Sequence, residues 1–426
     1  MATLIRGEIG DSFQVAAGSI DITPDAPLPL AGYSGRRAPF TEVVDRLEAN
    51  AVVLRCGGAT CAFLSFDLLY VSGEIRNAVA ASIAEHIASQ DLFISASHTH
   101  FAPATDRHLP ILGLATDDYI SRVAERAAFL LRDLLGQTSA PLVITYATGI
   151  ANHSINRRLP VFGLRRDLLP LRTRWEMRPN PDGSRDEAIR LFAIREPGGA
   201  PKAICWSYAC HPVCFPRTDC VSADFPGVVR RALRTAYGPI PVVYWQGFSG
   251  DTRPCTVRPA SRGLLGYPIP PAFVPFTNDG WTSWSTSLAS RVVGVSQTPG
   301  RTLEAAIRSS RRTVAMSDLG PDTGGRDLSV QEISLGPDLS IFGVSAEIVS
   351  AYSGLLCRTR APADVIPVGC LDGVPGYIPT SEMVPQGGYE AKKFMKLFGV
   401  KGSYRPDVTN IVEHRVFGAG EAHLYD

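Results

Sequence analysis

Apolar and polar positions divide the chain into short β-favouring runs and a few longer helical segments. Ala49–Leu54 and Cys61–Phe66 are apolar runs on either side of a glycine-containing turn, which predicts a hairpin. Asp117–Leu135 has acidic residues in its first turn and Gly136 behind its last apolar residue, which predicts a helix. Asp224–Tyr237 also predicts a helix, because proline in the first turn suits a helix start.

The second half of the chain alternates in the same way, with longer interruptions. Leu328–Leu335 and Leu339–Val344 predict a second hairpin, and Ala346–Leu356 predicts a helix. Residues 159–186 and 257–280 are rich in proline and lack periodicity, so we expect long surface loops there. Strands and helices mixed along the whole chain predict a mixed α/β fold with central β-sheets flanked by helices.

Composition is that of an ordinary globular protein and excludes two classes of partner. The 426 residues are 45% apolar and 19% charged, and 42 Lys and Arg balance 41 Asp and Glu. A net charge so close to zero gives no argument for nucleic acid. No apolar run approaches the ~18 residues that span a bilayer, so we expect no stable membrane insertion. The expected partner is a small-molecule substrate, and a homo-oligomer is compatible with the sequence.

The N-terminal segment and the cysteines indicate the compartment. The segment MATLIRGEIGDSFQV lacks the apolar core of a secretion signal, so we expect a cytoplasmic protein. The 9 cysteines have no compact framework spacing, and in a reducing compartment we expect free thiols.

Candidate chemistry begins with a His-x-His pair, His98 and His100, which ends the apolar run LFISAS. On an extended strand alternate side chains share a face, so the two imidazoles are expected to point the same way. His211 follows the predicted strand ICWSYA, and Glu347 follows LSIFGV. Hydrolytic zinc sites use about three protein ligands and one open position. The pattern therefore predicts a metal site at strand ends, although these residues alone do not select this set over other combinations.

Simpler interpretations exist for the same residues. His211 lies between Cys210 and Cys214, which could form a structural zinc cluster, but paired Cys-x-x-Cys spacing is absent. An acid such as Glu347 at a helix start is commonly a surface residue that complements the helix dipole. Three aspartates lie near the motifs and could either orient the histidines or cap helices and turns: Asp67, Asp224 and Asp251.

Taken together, several segments resemble the neutral/alkaline (non-lysosomal) ceramidase family in its N-terminal catalytic domain. The matching segments occur in the order of the family and extend from about residue 17 to about residue 415. They are GSIDITP with PLAGYSGR, SASHTHFAP, NRR, ACHP with SADFPG, QGFSGDTRP, GVSAEI, GYIPTSEM and GGYE. Each segment is a modest signal, and their common order makes the resemblance specific.

The resemblance implies a zinc centre and a reaction centre beside it. Its implied zinc ligands are His98, His211, Glu347 and Tyr377, and its implied reaction-centre residues are His100, Arg157 and Tyr389. In this scheme a zinc-bound hydroxide attacks an amide carbon, and Arg157 and Tyr389 donate hydrogen bonds to the developing oxyanion. His100 would move a proton to the leaving amine.

The chain departs from the family pattern at positions that bear on the substrate. Arg253 lies where the family has a serine, and Phe101 replaces a small residue after the second histidine. We therefore expect both residues to contact the substrate, and Arg253 to grip an anionic group such as a carboxylate. The alternative for Arg253 is an ion pair with Asp251 or another local acid. The chain also lacks the family's C-terminal β-sandwich domain, so we expect one catalytic domain over residues 1–426.

The expected function is that of a zinc-dependent hydrolase, which cleaves the N-acyl amide bond of a small molecule other than ceramide. A close alternative is an esterase or lactonase on the same centre, because hydroxide attack on either carbonyl is similar. A third reading is a relative that binds a ligand without turnover, which only the replacement at Arg253 favours.

Overall fold

β-Strands dominate the computed structural model, which describes residues 12–137, 141–163, 172–263 and 268–419. The strands are β1 Phe13–Asp21, β2 Glu42–Val43, β3 Glu48–Cys56, β4 Ala59–Phe66, β5 Leu92–Ala96, β6 Pro141–Ile150, β7 Ser154–Gly163, β8 Arg172–Asn180, β9 Ala188–Arg195, β10 Pro201–Tyr208, β11 Cys220–Val221, β12 Val242–Gln246, β13 Thr252–Pro254, β14 Val257–Arg258, β15 Ser261–Arg262, β16 Pro268–Ile269, β17 Ala272–Phe273, β18 Arg301–Thr302, β19 Ile307–Val314, β20 Leu328–Leu335, β21 Leu339–Val344, β22 Glu347–Ile348, β23 Asp364–Val368 and β24 Tyr377–Ile378. The helices are α1 Gly73–Ser82, α2 Asp117–Gly136, α3 Asp224–Tyr237, α4 Asn278–Gln297, α5 Met316–Leu319, α6 Ala351–Arg360, α7 Met383–Gln386, α8 Met395–Phe398 and α9 Val408–Ile411. None of these described helices combines the length and the apolar composition that a membrane crossing requires.

The largest sheet has 9 strands. Its main path runs in the order β12, β10, β9, β6, β1, β3, β4, β5, and β18 pairs with β6. Most neighbours are antiparallel, but β4 runs parallel to β5 and β10 runs parallel to β12. Every residue of β5 and β12 is buried. Because both faces of these strands are covered, their sequences are nearly continuous apolar runs.

A second sheet packs on the first and produces four layers. The sheet β19-β20-β21-β23 shares a core with the large sheet, in which Phe63, Phe93 and Trp245 join Ile333 and Ile341. Helices α1 and α2, and separately α3 and α4, cover the other face of the large sheet. Helix α6 and the C-terminal helices cover the outer face of the second sheet. The predicted mixed α/β fold with central sheets flanked by helices is confirmed.

Strand ends and two small sheets position the candidate site. His98 and His211 lie just beyond β5 and β10. The three-stranded sheet β13-β7-β8 carries Arg157, and the two-stranded sheet β22-β24 pairs Glu347 directly with Tyr377. The fold thus gathers residues from distant parts of the chain at one group of strand ends.

Two local predictions are wrong. Residues 159–186 were expected to be an irregular loop, but they contain most of the antiparallel pair β7–β8. Proline is tolerated in β7 because β13 pairs only with residues 154–156, so no described strand pairs with Pro160 on that side. The helix expected over Ala346–Leu356 begins only at Ala351, because residues 347 and 348 form β22.

Candidate metal centre

The two imidazoles of the His-x-His pair converge, but not through strand alternation. Strand β5 ends at Ala96, and His98 has a left-handed backbone with φ of 67°. The turn brings the ring centroids of His98 and His100 to 5.0 Å at an interplanar angle of 89°. Gly32 packs against the second ring, since a Cβ there would lie 2.4 Å from Nδ1 of His100. The predicted convergence of the two imidazoles is confirmed. Its cause is the turn after β5 and not the alternation of side chains on a strand.

Backbone carbonyls orient both candidate ligand histidines. Nδ1 of His98 lies 3.2 Å from the Leu69 carbonyl oxygen, and Nδ1 of His211 lies 2.8 Å from that of Ser249. A carbonyl oxygen can only accept a hydrogen bond, so each Nδ1 carries the proton. In the neutral imidazole each Nε2 is therefore a lone pair that is available to a cation.

Glu347 is the acid on which these nitrogens converge. Its Oε2 lies 2.9 Å from Nε2 of His211 and 3.5 Å from Nε2 of His98, and its Oε1 accepts a hydrogen bond from the Tyr70 hydroxyl. The side chain is buried, so the surface-acid interpretation is wrong. Burial opposes ionisation of Glu347, but positive charge beside it, from a protonated His98 or from a bound cation in its place, favours the carboxylate and holds its pKa well below the usual range.

The donor set fits a metal ion. Two Nε2 lone pairs and one carboxylate oxygen face one another, and such acceptors repel unless a cation lies among them. Nε2 of His98 has no hydrogen-bond partner among the described residues. Ring nitrogens of His98, His100 and His211 also lie within 4.8 Å of one another. Two ligand sets are therefore compatible with the geometry. The first consists of His98, His211, Glu347 and Tyr377, and the second consists of the three histidines.

An arginine and two tyrosines lie beside this cluster. Nη2 of Arg157 donates to the Tyr377 hydroxyl at 3.3 Å, and its Cζ lies 5.3 Å from the centre of the Tyr389 ring. Glu390 accepts from Arg157 Nε at 2.8 Å and from Arg158 Nη1 at 2.8 Å. All these ionised side chains are buried. The structure thus brings Arg157, Tyr377 and Tyr389 together, and Glu390 fixes the direction of the guanidinium.

Sequence reasoning missed two residues of this group. Tyr70 binds Glu347 and also packs on His98 with 5.2 Å between ring centroids. No motif marked Tyr70, because it lies in an apolar run, LLYV, that looks like core. Glu390 directly follows Tyr389 in the segment GGYE, so a search for acids beside predicted site residues could have found it.

Phe101 is fully buried at 0% exposure. Its ring packs on Tyr33 at a centroid distance of 6.0 Å and on Phe215 at 5.6 Å. This packing joins the loop after His100 to the loop after His211. Contact of Phe101 with a substrate stays a prediction.

Arg253 does not form the ion pair that was its alternative. Its Nη2 donates to Sγ of Cys214 at 3.0 Å, and no carboxylate lies within ion-pair distance in the described part of the chain. Asp251 instead accepts from Asn156 Nδ2 at 2.9 Å and from the Ser350 amide at 2.7 Å. Asp251 thereby holds the strand that carries Arg157, and Arg253 is left without an acid.

Of the two roles considered for the other aspartates, orientation of the histidines is excluded for Asp67 and Asp224, because Nδ1 of His98 and Nδ1 of His211 contact backbone carbonyls instead. Asp67 accepts from Nη2 of Arg230 at 2.8 Å and ties α3 to the large sheet. Asp224 begins α3 and accepts a hydrogen bond from the amide of Phe225. Burial raises the pKa of Asp224 to about 8.

Cysteines form no second metal cluster among the described residues. The thiols of Cys210, Cys214 and Cys220 are free, and His211 turns its ring towards Glu347 instead. The structural-zinc interpretation of the Cys-His-x2-Cys segment is therefore wrong.

The mixed α/β fold of this chain is similar to that of two solved structures. A neutral ceramidase from Pseudomonas aeruginosa has a TM-score of 0.72 and 14% identity, over 97% of this chain and 74% of that chain. A ceramidase complexed with C2 has a TM-score of 0.73 and 15% identity, over 96% of this chain and 74% of that chain. The chain therefore has a ceramidase-like fold.

At the level of sequence, no protein-family model matches the chain, and no curated protein matches it. The structural likeness accordingly establishes the fold, and the chemistry of the site depends on the residues of this chain.

Proposed function

We propose that this protein is a zinc-dependent hydrolase that cleaves the amide bond of a small N-acyl compound. The observation that carries the proposal is the convergence of Nε2 of His98 and Nε2 of His211 on Oε2 of Glu347, at 3.5 and 2.9 Å. The ceramidase-like fold supports the same reaction class.

His98, His211, Glu347 and Tyr377 would hold the zinc ion. Nitrogen and oxygen donors of this kind suit zinc, and all four side chains are buried, which limits competition from bulk water. When bound, zinc polarises a carbonyl and lowers the pKa of a bound water to roughly 7. The remaining steps belong to side chains of this protein.

Arg157 is the candidate oxyanion donor. Its guanidinium lies beside the rings of Tyr377 and Tyr389, with Cζ at 5.8 and 5.3 Å from their centres. Because Glu390 accepts from Nε, the Nη groups keep one orientation and need no reorganisation as negative charge develops on the carbonyl oxygen. One such donor contributes about 3 kcal/mol to transition-state stabilisation.

His100 is the candidate proton donor to the leaving amine. Neither of its ring nitrogens has a hydrogen-bond partner among the described residues, although both are buried. An imidazole that faces the cluster with free nitrogens can accept a proton at one position and deliver one to a nearby amine. Substrate contacts of Phe101 and Arg253 belong to this proposal as well.

The test is hydrolysis before and after metal removal. Purified protein is assayed on an N-acyl amide panel, on the matching esters and on ceramide in vesicles, then treated with a chelator and reloaded with zinc. We expect turnover of the amides, its loss on chelation and its return with zinc. Turnover that survives complete metal removal would contradict the proposal, and turnover of esters alone would move it to the esterase alternative.

A further inference from the structure

Arg253 carries a guanidinium whose hydrogen bonds are incomplete. Its Nη2 donates to Sγ of Cys214 at 3.0 Å, and its Cζ lies 4.3 Å from the centre of the Phe273 ring. Its Nε is buried and has no acceptor within the described residues. A thiol sulfur is a weak acceptor. A buried N–H without an acceptor is costly, so the position is suited to a stronger acceptor from outside the chain.

Two elements of the candidate metal centre meet at Arg253. On strand β13 it pairs with Ile155 of β7, two residues before Arg157. Cys214, which accepts its hydrogen bond, follows His211 by three residues. Arg253 is therefore held between the strand of the candidate oxyanion donor and the loop of a candidate metal ligand.

Tyr33 connects this position to His100. The two rings lie 5.3 Å apart in an edge contact, and the Tyr33 hydroxyl donates to the Val213 carbonyl in the loop that Arg253 contacts. Arg36 lies on the Tyr33 ring at 5.0 Å and donates to the His100 carbonyl at 2.6 Å. Within the described ranges Arg36, like Arg253, has no carboxylate partner, so a second positive charge lies on this side of the site.

Neighbouring acids do not balance the charge of Arg253. Asp251 is engaged with an asparagine side chain and a backbone amide. Burial raises the pKa of Asp224 to about 8, so this acid is protonated at neutral pH. Burial also raises the pKa of the Cys214 thiol, which therefore stays uncharged. The positive charge of Arg253 is therefore not balanced by these neighbours, which favours the binding of an anion at this position.

We propose that Arg253 binds a carboxylate of the substrate, so that the protein acts on N-acyl compounds that bear a free carboxylate. The Nε and Nη2 groups of a guanidinium form a planar fork that pairs with both oxygens of a carboxylate. The carboxylate would replace the weak thiol contact and supply the acceptor that Nε lacks. This inference rests on the proposed function, since it names a substrate feature of the same site.

The test compares charged and neutral substrates of one shape. N-octanoylglycine is paired with its N-methylamide, and the release of octanoate is measured for the wild type and for Arg253→Gln. We expect Arg253→Gln to lower kcat/KM about 10- to 100-fold for the carboxylate substrate, which is typical of a lost hydrogen bond to a charged group. Turnover of the neutral substrate should not change.

A second arm places the carboxylate on the acyl side. N-Glutaryl-octylamine is compared with its terminal amide, and octylamine release is measured for the same proteins. In one of the two arms we expect Arg253→Gln to lose turnover of the charged substrate alone. That arm shows whether Arg253 binds a carboxylate on the amine side or on the acyl side of the amide. Equal losses for charged and neutral substrates in both arms, or no loss in either arm, would overturn the inference.

Two further variants test whether the effect is specific to the guanidinium of Arg253. Arg258→Gln removes an exposed arginine from the adjacent strand β14 and should leave both substrates unaffected. Arg253→Lys keeps the charge but not the planar fork, so it should give an intermediate loss on the carboxylate substrate alone. If Arg253→Gln does not fold by circular dichroism, the Lys variant carries the test.

Failure of the proposed function would be visible separately. If zinc-loaded wild type hydrolyses none of these compounds, the hydrolase proposal fails, and calorimetric binding of the same pairs decides the inference. At least about tenfold weaker binding of a carboxylate compound to Arg253→Gln would uphold it. Equal binding of all compounds to both proteins would overturn it.

Discussion

His100 is the residue on which the two compatible ligand sets differ. In the set that we favour, His98, His211, Glu347 and Tyr377 bind the metal and His100 moves protons. We therefore expect His100→Ala to retain its zinc but to lose about 10²- to 10⁴-fold in kcat, the usual contribution of a general acid or base. Metal content by mass spectrometry and steady-state kinetics measure the two effects.

A His100→Ala protein that loses its zinc would instead favour the three-histidine set. His100→Asn serves as the second variant, because its amide fills much of the same space against Gly32 and Tyr33.

Gly32 provides an independent test of the position of His100. Gly32 has φ of +97°, and a Cβ would lie 2.4 Å from Nδ1 of His100. Gly32→Ala should therefore displace the ring, lower turnover, and cost roughly 1–3 kcal/mol of stability through its backbone strain. Kinetics and urea unfolding are the measurements.

Gly35→Ala is the matched control, because Gly35 also has a positive φ of +83° but has nothing within 4 Å of its Cβ position. It should show the strain without the loss of turnover. Equal activity losses in both variants would remove the argument that the contact with His100 matters.

At the residue scale, sequence identified the histidines but not what orients them. Backbone carbonyls of Leu69 and Ser249 set the tautomers of His98 and His211. Every residue has a backbone carbonyl, so residue types cannot show which one contacts a histidine. The contact of Tyr70 with Glu347 could not be predicted either, because a tyrosine in an apolar run is typical of a core residue. Partners that act through the main chain or across long separations require the folded structure.

Among the elements, the antiparallel pair β7–β8 and the single π-helical turn Tyr389–Lys393 are joined by a buried ionic network. Glu390 accepts from Arg157 and Arg158, and the side chain of Glu390 is 1% exposed. Glu390→Ala would leave two buried guanidinium groups without their shared carboxylate, so we expect a loss of about 3–5 kcal/mol in unfolding free energy. Denaturant unfolding of the variant measures this loss.

The control is Glu74→Ala, whose ion pair with Arg107 is exposed at 51% and 42%. An exposed ion pair is screened by solvent and contributes little to stability, so this variant should unfold almost like the wild type. A similar small loss for Glu390→Ala would show that the buried network is not required. Glu390→Gln, which keeps the shape, substitutes if the alanine variant does not fold.

Sequence predicted elements well where apolar periodicity was strong and poorly where pairing is nonlocal. Helix α3 occupies the predicted range Asp224–Tyr237, and both predicted hairpins are present. Strand β22 has two residues and exists because it pairs with β24, far away in the chain. That pairing places Glu347 beside Tyr377, which no local pattern in either segment could indicate.

On the scale of the molecule, the mixed order of strands and helices was sufficient to predict an α/β fold, but not the four layers. The stacking of the two sheets depends on which faces of β4, β5 and β12 meet β20 and β21. Strands that are apolar on both sides do not reveal which face meets which partner. The prediction that these distant segments form one site came from the order of the motifs alone. In the structure the segments lie close together.

The most direct test of the central claim is the zinc content of purified protein, measured by inductively coupled plasma mass spectrometry in parallel with amide hydrolysis. His98→Ala is compared with His153→Ala, a histidine that contacts Ser287 instead of the cluster. We expect about one zinc per chain in the wild type and in His153→Ala, and neither zinc nor turnover in His98→Ala. A His98→Ala protein that hydrolyses the amide without bound metal would contradict the account.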